Sequence, residues 1–385
     1  MQTRIRQDAR ALNTPATEAA QALAAIAVPR RSGTAAHAYA AEQVRERMTA
    51  LGYVCAPLPF AFSDWVGRFG VAAAAVIFGA GAVGGGWLLL GGDPALALVA
   101  LLLGLIAGIA IAIFWTRLLH RLSWGRRTGE NLLFHRPDVR PRYIVMAHLD
   151  TKSQLLPLAV RGPAVIAGVL SWLALAAAAA AAIAAGPIGG IVPIATAVAG
   201  AASVGLALSY AGNRSPGALD NASGVAAAVG IAANQAHAGD AAFLITDAEE
   251  LGLAGARAAA GRLPPVHGVI NLDGLDDDGT FYILERFGRP RRGLAPHLAV
   301  ALLEAAAIRQ WPARRRDVPF GLMLDHMPLV DAGVPALSVL RGEWRSLARV
   351  HRPTDDLARL TGAGVIAAVD LVCDALDRLR ANEPG

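Results

Sequence analysis

The sequence predicts an α/β fold: a mostly parallel central sheet with helices on both faces, plus four transmembrane helices as two inserted hairpins. Three observations predict it. After Ser215, short apolar runs alternate with segments of helical spacing, the pattern of strands joined by crossover helices. Before Ser215 lie four apolar segments of roughly membrane-spanning length. Hydrophobic residues make up 55% of the 385 positions, more than an ordinary soluble domain carries, and the surplus is concentrated in those four segments.

Residues 1–13 are polar and basic, lack the apolar core of a signal peptide, and read as a flexible start. Residues 14–68 open the water-soluble domain. Ala16–Ala27 has helical spacing and stops at Pro29-Arg30-Arg31-Ser32-Gly33-Thr34. A second helix, Ala35–Leu51, ends at Gly52 as a C-cap, and Tyr53–Phe62 reads as a strand. His37, on that second helix, reads as a surface residue, because no other ligand type is near it in sequence.

Residues 69–116 form the first hairpin. Val71–Leu90 and Pro94–Trp115 are nearly charge-free and are separated by Gly91-Gly92-Asp93 alone. Trp87 and Trp115 sit near segment ends, where aromatic residues favour the membrane interface. Gly104 and Gly108 form a G-x-x-x-G suited to close helix contact. Residues 117–163 return to water with strands at Glu130–Phe134 and Tyr143–Ala147, the second ending at His148. Residues 164–210 hold the second hairpin, Ala164–Ala185 and Ile188–Tyr210. It is alanine-rich, so a soluble helical layer stays open as its alternative. It falls between His148 and Asp220 and is therefore an insertion in a loop of the soluble domain.

Residues 211–385 complete that domain. Helices are expected at Val225–Gln235, Gly252–Arg262, Leu294–Arg309 and, amphipathic, Gly362–Leu379. Strands are expected at Ala242–Thr246, Val266–Leu272, Phe281–Leu284 and Pro335–Leu340. The net charge of +5 comes largely from arginines. Arg289–Arg292 and Arg314–Arg316 read as solvated loop faces, and no nucleic-acid motif accompanies them. Nucleic acid is not an expected partner. Cys55 and Cys373 have no C-x-x-C spacing and read as buried small residues, giving neither a disulfide framework nor a thiolate zinc cluster.

Five stretches carry candidate chemistry. Phe243–Ala256 reads FLITDAEELGLAGA and places Glu249 and Glu250 at the end of an apolar run. Tyr143–Asp150 ends in His148-x-Asp150. Ser215–Gly224 presents Asp220 just before a helix. Val269–Asp273 ends in Asp273, and His351 precedes the turn Arg352-Pro353-Thr354-Asp355. Each has an ordinary reading on its own: a solvated acidic pair, satisfied histidines, a capping Asp220, a strand-ending Asp273. Asp276, Asp277 and Asp278 read as turn residues. Together they offer histidine and carboxylate donors at strand ends, where sites in open α/β sheets gather. Nitrogen and oxygen donors without thiolate suit borderline metals such as zinc. The sequence has no G-x-S-x-G elbow, no phosphate-binding loop and no H-E-x-x-H.

The ordered set H-x-D, G-A-x-D-N-x-S-G, E-E-x-G, N-L-D and a late His before a T-D turn resembles the co-catalytic di-zinc peptidase family. That family includes bacterial leucyl aminopeptidases, aminopeptidase Y and glutamate carboxypeptidase. The resemblance covers roughly Thr17–Phe60, Thr128–Lys152 and Ser215–Arg380. It implies a peptide substrate and two zinc ions, with manganese or cobalt also compatible with the ligand set. It implies that Asp220 bridges the metals, that His148 and Asp273 complete the first site, and that Glu250 and His351 complete the second. Glu249 is implied as the general base. Asp150 is implied as acceptor of the imidazole's other N–H. Asp325-His326 resembles the family's late D-H element and is a support or substrate-side candidate. The chain departs from the family in the hairpin between His148 and Asp220, and in Ala256 where the family usually has serine.

The expected function is a membrane-embedded di-zinc metallopeptidase, an aminopeptidase first. A carboxypeptidase or other amide hydrolase on the same site stays open, as does a non-catalytic membrane scaffold or receptor. The lipid bilayer is an expected partner, and no residue is assigned to substrate binding or to an oligomer contact. Arg68, Arg117, Arg121, Arg126, Arg127, Arg161 and Arg214 flank the outer hairpin ends, whereas the turns Gly91–Asp93 and Gly186–Gly190 carry no Lys or Arg. The positive-inside rule then places a multi-pass protein in the cell membrane with its soluble domain in the cytoplasm.

Overall fold

The structure, a computed structural model, describes residues 14–186, 190–234, 236–319 and 321–382. The expected flexible start and most of the Gly186–Gly190 turn lie outside them. The chain divides into two compact units. One falls within Met1–Phe62, Arg127–Lys152 and Asn213–Gly385, the other within Ser63–Arg126 and Ser153–Gly212.

In chain order the elements are α1 (Pro15–Ile26), α2 (Ala35–Ala50), β1 (Val54–Ser63), α3 (Asp64–Leu90), α4 (Pro94–Arg121), β2 (Arg126–His135) and β3 (Tyr143–His148). Then come α5 (Leu158–Ala185), α6 (Ile191–Ala207), α7 (Ser223–Ala233), β4 (Ala241–Thr246), α8 (Ala254–Ala259) and β5 (Gly268–Leu275). The chain closes with β6 (Thr280–Arg286), α9 (Pro296–Ile308), β7 (Ala313–Asp317), α10 (His326–Asp331), β8 (Ala336–Gly342), α11 (Trp344–Leu347) and α12 (Ala363–Ala381). Local chemistry starts the first two helices. The Thr14 and Thr34 side chains accept the N–H groups of Thr17 and His37, satisfying donors that a helix start leaves unpaired.

Among the described residues, eight strands form one sheet in the order β1-β2-β4-β3-β5-β8-β6-β7. The four central strands, β4, β3, β5 and β8, run parallel, while β2 and β6 join antiparallel. The two-residue period of a strand sorts its side chains to two faces. On β3, Val145 and Ala147 pack with α1, α2, α7, α9 and α12. Ile144 and Met146 face the opposite way, toward α8 and α10. Helices therefore cover both faces, as the alternation predicts.

Two local expectations change. Arg314–Arg316 lie on β7, an edge strand parallel to β6, not on a loop. An edge strand exposed along most of its length needs no apolar alternation, so its sequence carries no strand signal. The helix expected at Gly252–Arg262 begins only at Ala254. Gly252 and Leu253 have left-handed backbone, with φ of 101° and 58°, which a helix cannot contain.

In the second unit, Asp64–Leu90, Pro94–Trp115 and Ala159–Ala185 are each long and apolar enough to cross a membrane. The fourth apolar segment forms a 17-residue helix, α6. Gly104 of the G-x-x-x-G meets Gly81 of α3 so closely that a Cβ on either would stand 2.6 Å from the other's Cα. Leu101, Ala82, Leu175, Val192 and Ala199 fill the unit's core. Large apolar side chains such as Leu103, Ile106 and Ile166 stay exposed.

Candidate metal centre

Strands β3 and β4 run in register with His148 opposite Thr246, so both chains leave the sheet at one edge. His148 ends β3, and Glu249 and Glu250 lie in the turn after β4. Asp273 is near the end of β5. Asp220 sits in the turn Ala218–Ala222 ahead of α7. Asn221 ties that turn to β5: its Nδ2 donates to Leu272 O at 2.8 Å, and its Oδ1 accepts the N–H groups of Gly224 and Gly274. Ser223 Oγ donates to Leu219 O and accepts from Leu275 N. The G-A-x-D-N-x-S-G spacing therefore locks Asp220 beside Asp273.

The five residues expected as ligands come together in two groups that share Asp220. His148, Asp220 and Asp273 form one, and Asp220, Glu250 and His351 the other. His148 Nε2 lies 3.1 Å from Asp220 Oδ1 and 3.6 Å from Asp273 Oδ1. His351 Nε2 lies 3.1 Å from Asp220 Oδ2 and 3.1 Å from Glu250 Oε1. Each oxygen of Asp220 thus faces a different histidine.

Electrostatics follow this crowding. Burial alone would lower the His148 imidazole, but the surrounding carboxylates, Glu249 first, hold it well above its ordinary range. Burial would raise Asp220, yet the two imidazoles hold it well below. Burial opposes ionisation of Glu250 too, and His351 and Lys152 bring it down to about 2. Glu249 has no such cation beyond His148. Burial, helped by Glu250, Asp325 and Asp273, pushes it well above the usual carboxylate range. Two adjacent glutamates are therefore driven in opposite directions, which separates a permanently charged group from a proton-carrying one.

The donors fit a cation. His148 Nδ1 faces the carbonyl of Asp150 at 3.1 Å. A carbonyl only accepts, so Nδ1 carries a proton and Nε2 turns toward two carboxylates, a place that a proton or a bound cation fills. Glu250 Oε1 is buried without a hydrogen bond, although the His351 nitrogen is 3.1 Å away. An imidazole nitrogen and a carboxylate oxygen aimed past one another suit a shared metal ion.

One expectation about Asp150 is corrected. Its carboxylate stands 3.7 Å from His148 Nδ1, too far for a hydrogen bond, and the Asp150 carbonyl takes that role. The carboxylate instead accepts the N–H groups of Glu249 at 3.0 Å and Glu250 at 3.2 Å. A second correction concerns His37. It is buried, and its Nε2 lies 3.0 Å from Asp247 Oδ1. Asp247 also accepts from Glu130 N, and its own N–H donates to Asn131. His37 thus braces the turn carrying the two glutamates.

Other supports carry no recognisable spacing. The buried Arg30 guanidinium donates to the carbonyls of Ile26, Val28, Leu149, Pro216 and Gly217, joining the segments on either side of His148 and Asp220. Asp276, expected as a turn residue, accepts from Ser346 Oγ and Arg349 at 2.5 Å each and anchors the segment leading to His351. Asp325 and His326 are fully buried. Thr246 Oγ1 donates to Asp325, which burial pushes up to about 7. His326 Nδ1 meets Ser338 Oγ at 2.7 Å. Their burial is shared with the candidate ligands His148, Asp220, Glu250 and Asp273.

The sequence profile of peptidase family M28 matches residues 135–376. The chain belongs to that family. As an M28 chain it is a metal-dependent peptide hydrolase with the family's mixed α/β fold. Among curated proteins, none matches the chain in sequence. Solved structures share the fold at low identity. The zinc aminopeptidase BSAP of Bacillus subtilis superposes with a TM-score of 0.54 at 14% identity, covering 94% of each chain. The LapA aminopeptidase of Legionella pneumophila gives 0.53 at 12%, covering 96% of this chain and 73% of that one. A glutaminyl cyclase from Porphyromonas gingivalis gives 0.53 at 15%, covering 96% of each.

Proposed function

We propose that this M28 chain is a membrane-embedded aminopeptidase with a two-zinc centre. The observation that carries the reading is Asp220, whose two oxygens face His148 and His351 at 3.1 Å each. In this reading His148, Asp220 and Asp273 hold one zinc ion, and Asp220, Glu250 and His351 hold the other. When bound, such a pair supplies Lewis-acid polarisation of the scissile carbonyl and acidifies a water.

The chain's own residues do the rest. Glu249 takes the proton of the attacking water and later delivers it to the leaving amine, a task that its raised pKa suits. Asp150 fixes the backbone of Glu249 and Glu250 together, so base and ligand keep one spacing. The Asp150 carbonyl fixes the His148 ring.

The second unit is the proposed membrane part. Its three long apolar helices and exposed aliphatic side chains match a lipid environment, and α6 closes the second hairpin. At about 1.5 Å per residue α6 is somewhat shorter than the hydrocarbon core, a mismatch that local thinning accommodates. The flanking arginines, by the positive-inside rule, support a cytoplasmic peptidase unit in this reading.

The test is metal content and aminoacyl-anilide hydrolysis of detergent-purified protein, wild type beside Glu249→Gln. Two metals per chain, with activity in the wild type alone, is the expected result. Less than one zinc per chain, or full activity of the variant, overturns it. The same fold serves glutaminyl cyclases, so a peptide with N-terminal glutamine belongs in the assay. Release of ammonia in place of an amino acid would move the reading to cyclisation.

A further inference from the structure

The Glu250 carboxylate is divided. Oε1 points at His351 Nε2 from 3.1 Å and makes no hydrogen bond. Oε2 is paired with the Lys152 ammonium at 2.5 Å. Lys152 follows Asp150 by two positions, and Asp150 accepts the backbone N–H of Glu250. One short segment after β3 therefore sets both the backbone and the side chain of Glu250. Lys152 is half-buried, so this charge is only partly screened by solvent. On the other side of the centre Asp273, the carboxylate that the two groups do not share, is ion-paired with His148 and, among the described residues, with no lysine or arginine.

We propose that Lys152 makes the two metal positions unequal, so that the one served by Asp220, Glu250 and His351 is the weaker and fills last. This rests on the two-zinc reading above. Two physical effects act in one direction. The ammonium occupies one of the two Glu250 oxygens, which leaves Oε1 as the single donor and removes two-oxygen coordination. It also fixes a positive charge beside an incoming dication, and like charges at this range in a buried site oppose one another strongly. A lysine suits the role because its ammonium is a compact point charge on a flexible stem. The His148, Asp220 and Asp273 position keeps Asp273, the carboxylate that it does not share, without such a cationic partner among the described residues.

The experiment is a zinc titration of metal-stripped, full-length protein in detergent, followed by calorimetry and by counting bound zinc with mass spectrometry. The wild type is expected to show two affinity classes. Lys152→Met keeps the stem and removes the charge, and should tighten the weaker class by roughly tenfold or more while leaving the tighter class in place. Lys152→Gln should do the same, which covers the case in which the methionine variant does not fold. Lys152→Arg should retain the asymmetry. His351→Ala should delete the weaker class alone.

Two equal classes in the wild type would overturn the inference and leave the two-zinc reading standing. So would a weaker class that is unchanged or further weakened in both neutral variants. A wild type that binds a single zinc, with no response to His351→Ala, would overturn the reading and the inference together.

Discussion

Asp355 holds Asp220 by its backbone. The Asp355 carboxylate accepts Leu219 N at 2.7 Å and Asp220 N at 3.1 Å, and its carbonyl accepts Ala218 N. The segment that supplies His351 therefore also fixes the residue that His351 faces. Asp150 does the same for Glu249 and Glu250 with the same two-oxygen grip. Two buried carboxylates thus position, through backbone N–H groups, three of the groups lining the centre.

Asp355→Asn should separate this support from direct chemistry. The amide keeps one acceptor oxygen and turns a donor toward the second N–H, leaving it unpaired at a cost of about 1–3 kcal/mol. Loss of an outer-shell partner typically lowers metal affinity or activity by roughly 10–100-fold. The expected result is a folded protein with a reduced zinc affinity and a lower melting temperature. A variant with wild-type zinc affinity would remove Asp355 from the centre's support.

Arg30→Lys tests the guanidinium clamp. Arg30 serves five carbonyls, and a lysine has three donors without the planar fork. At least two buried carbonyls lose their partner, at about 1–3 kcal/mol each. The charge is preserved, so an electrostatic role alone predicts little change. Denaturant unfolding should show a lower midpoint at unchanged slope.

His326 gives stability a pH dependence. Burial lowers its pKa from the ordinary range to about 3. The unfolded chain therefore binds its proton first as pH falls, so the folded state loses stability from about pH 6.5 down through about pH 3. A neutral substitute that keeps the Ser338 contact, His326→Asn, should flatten unfolding free energy across that window. An unchanged slope would assign acid lability to other groups.

The candidate ligand set is legible because its members stand at the end of an apolar run or in a turn, and the order of the five stretches is itself information. The frame that aims them was not. Asp355 acts on a backbone 135 positions away, and Arg30 reaches carbonyls 119 and 187 positions away. Such contacts leave no periodicity. His37 reads as exposed because no other ligand type stands near it in sequence, and its partner Asp247 lies in a remote segment. The family resemblance implies the Asp150 side chain as the ring's acceptor, but the nearer carbonyl takes the hydrogen bond. The two faces of the sheet, by contrast, follow from the two-residue period alone.

The chain enters and leaves the second hairpin through a pair of reciprocal backbone bonds, Ser153 N to Gly212 O at 3.2 Å and Gly212 N to Ser153 O at 2.8 Å. A loop pinned at its neck costs little more entropy when it grows, because closure rises only logarithmically with length. His148 and Asp220 can therefore be held as if a short turn joined them, whatever is threaded between. The hairpin is a passenger in chain-entropy terms, and a peptidase of this design can exchange its apolar insert without re-solving the geometry of its centre.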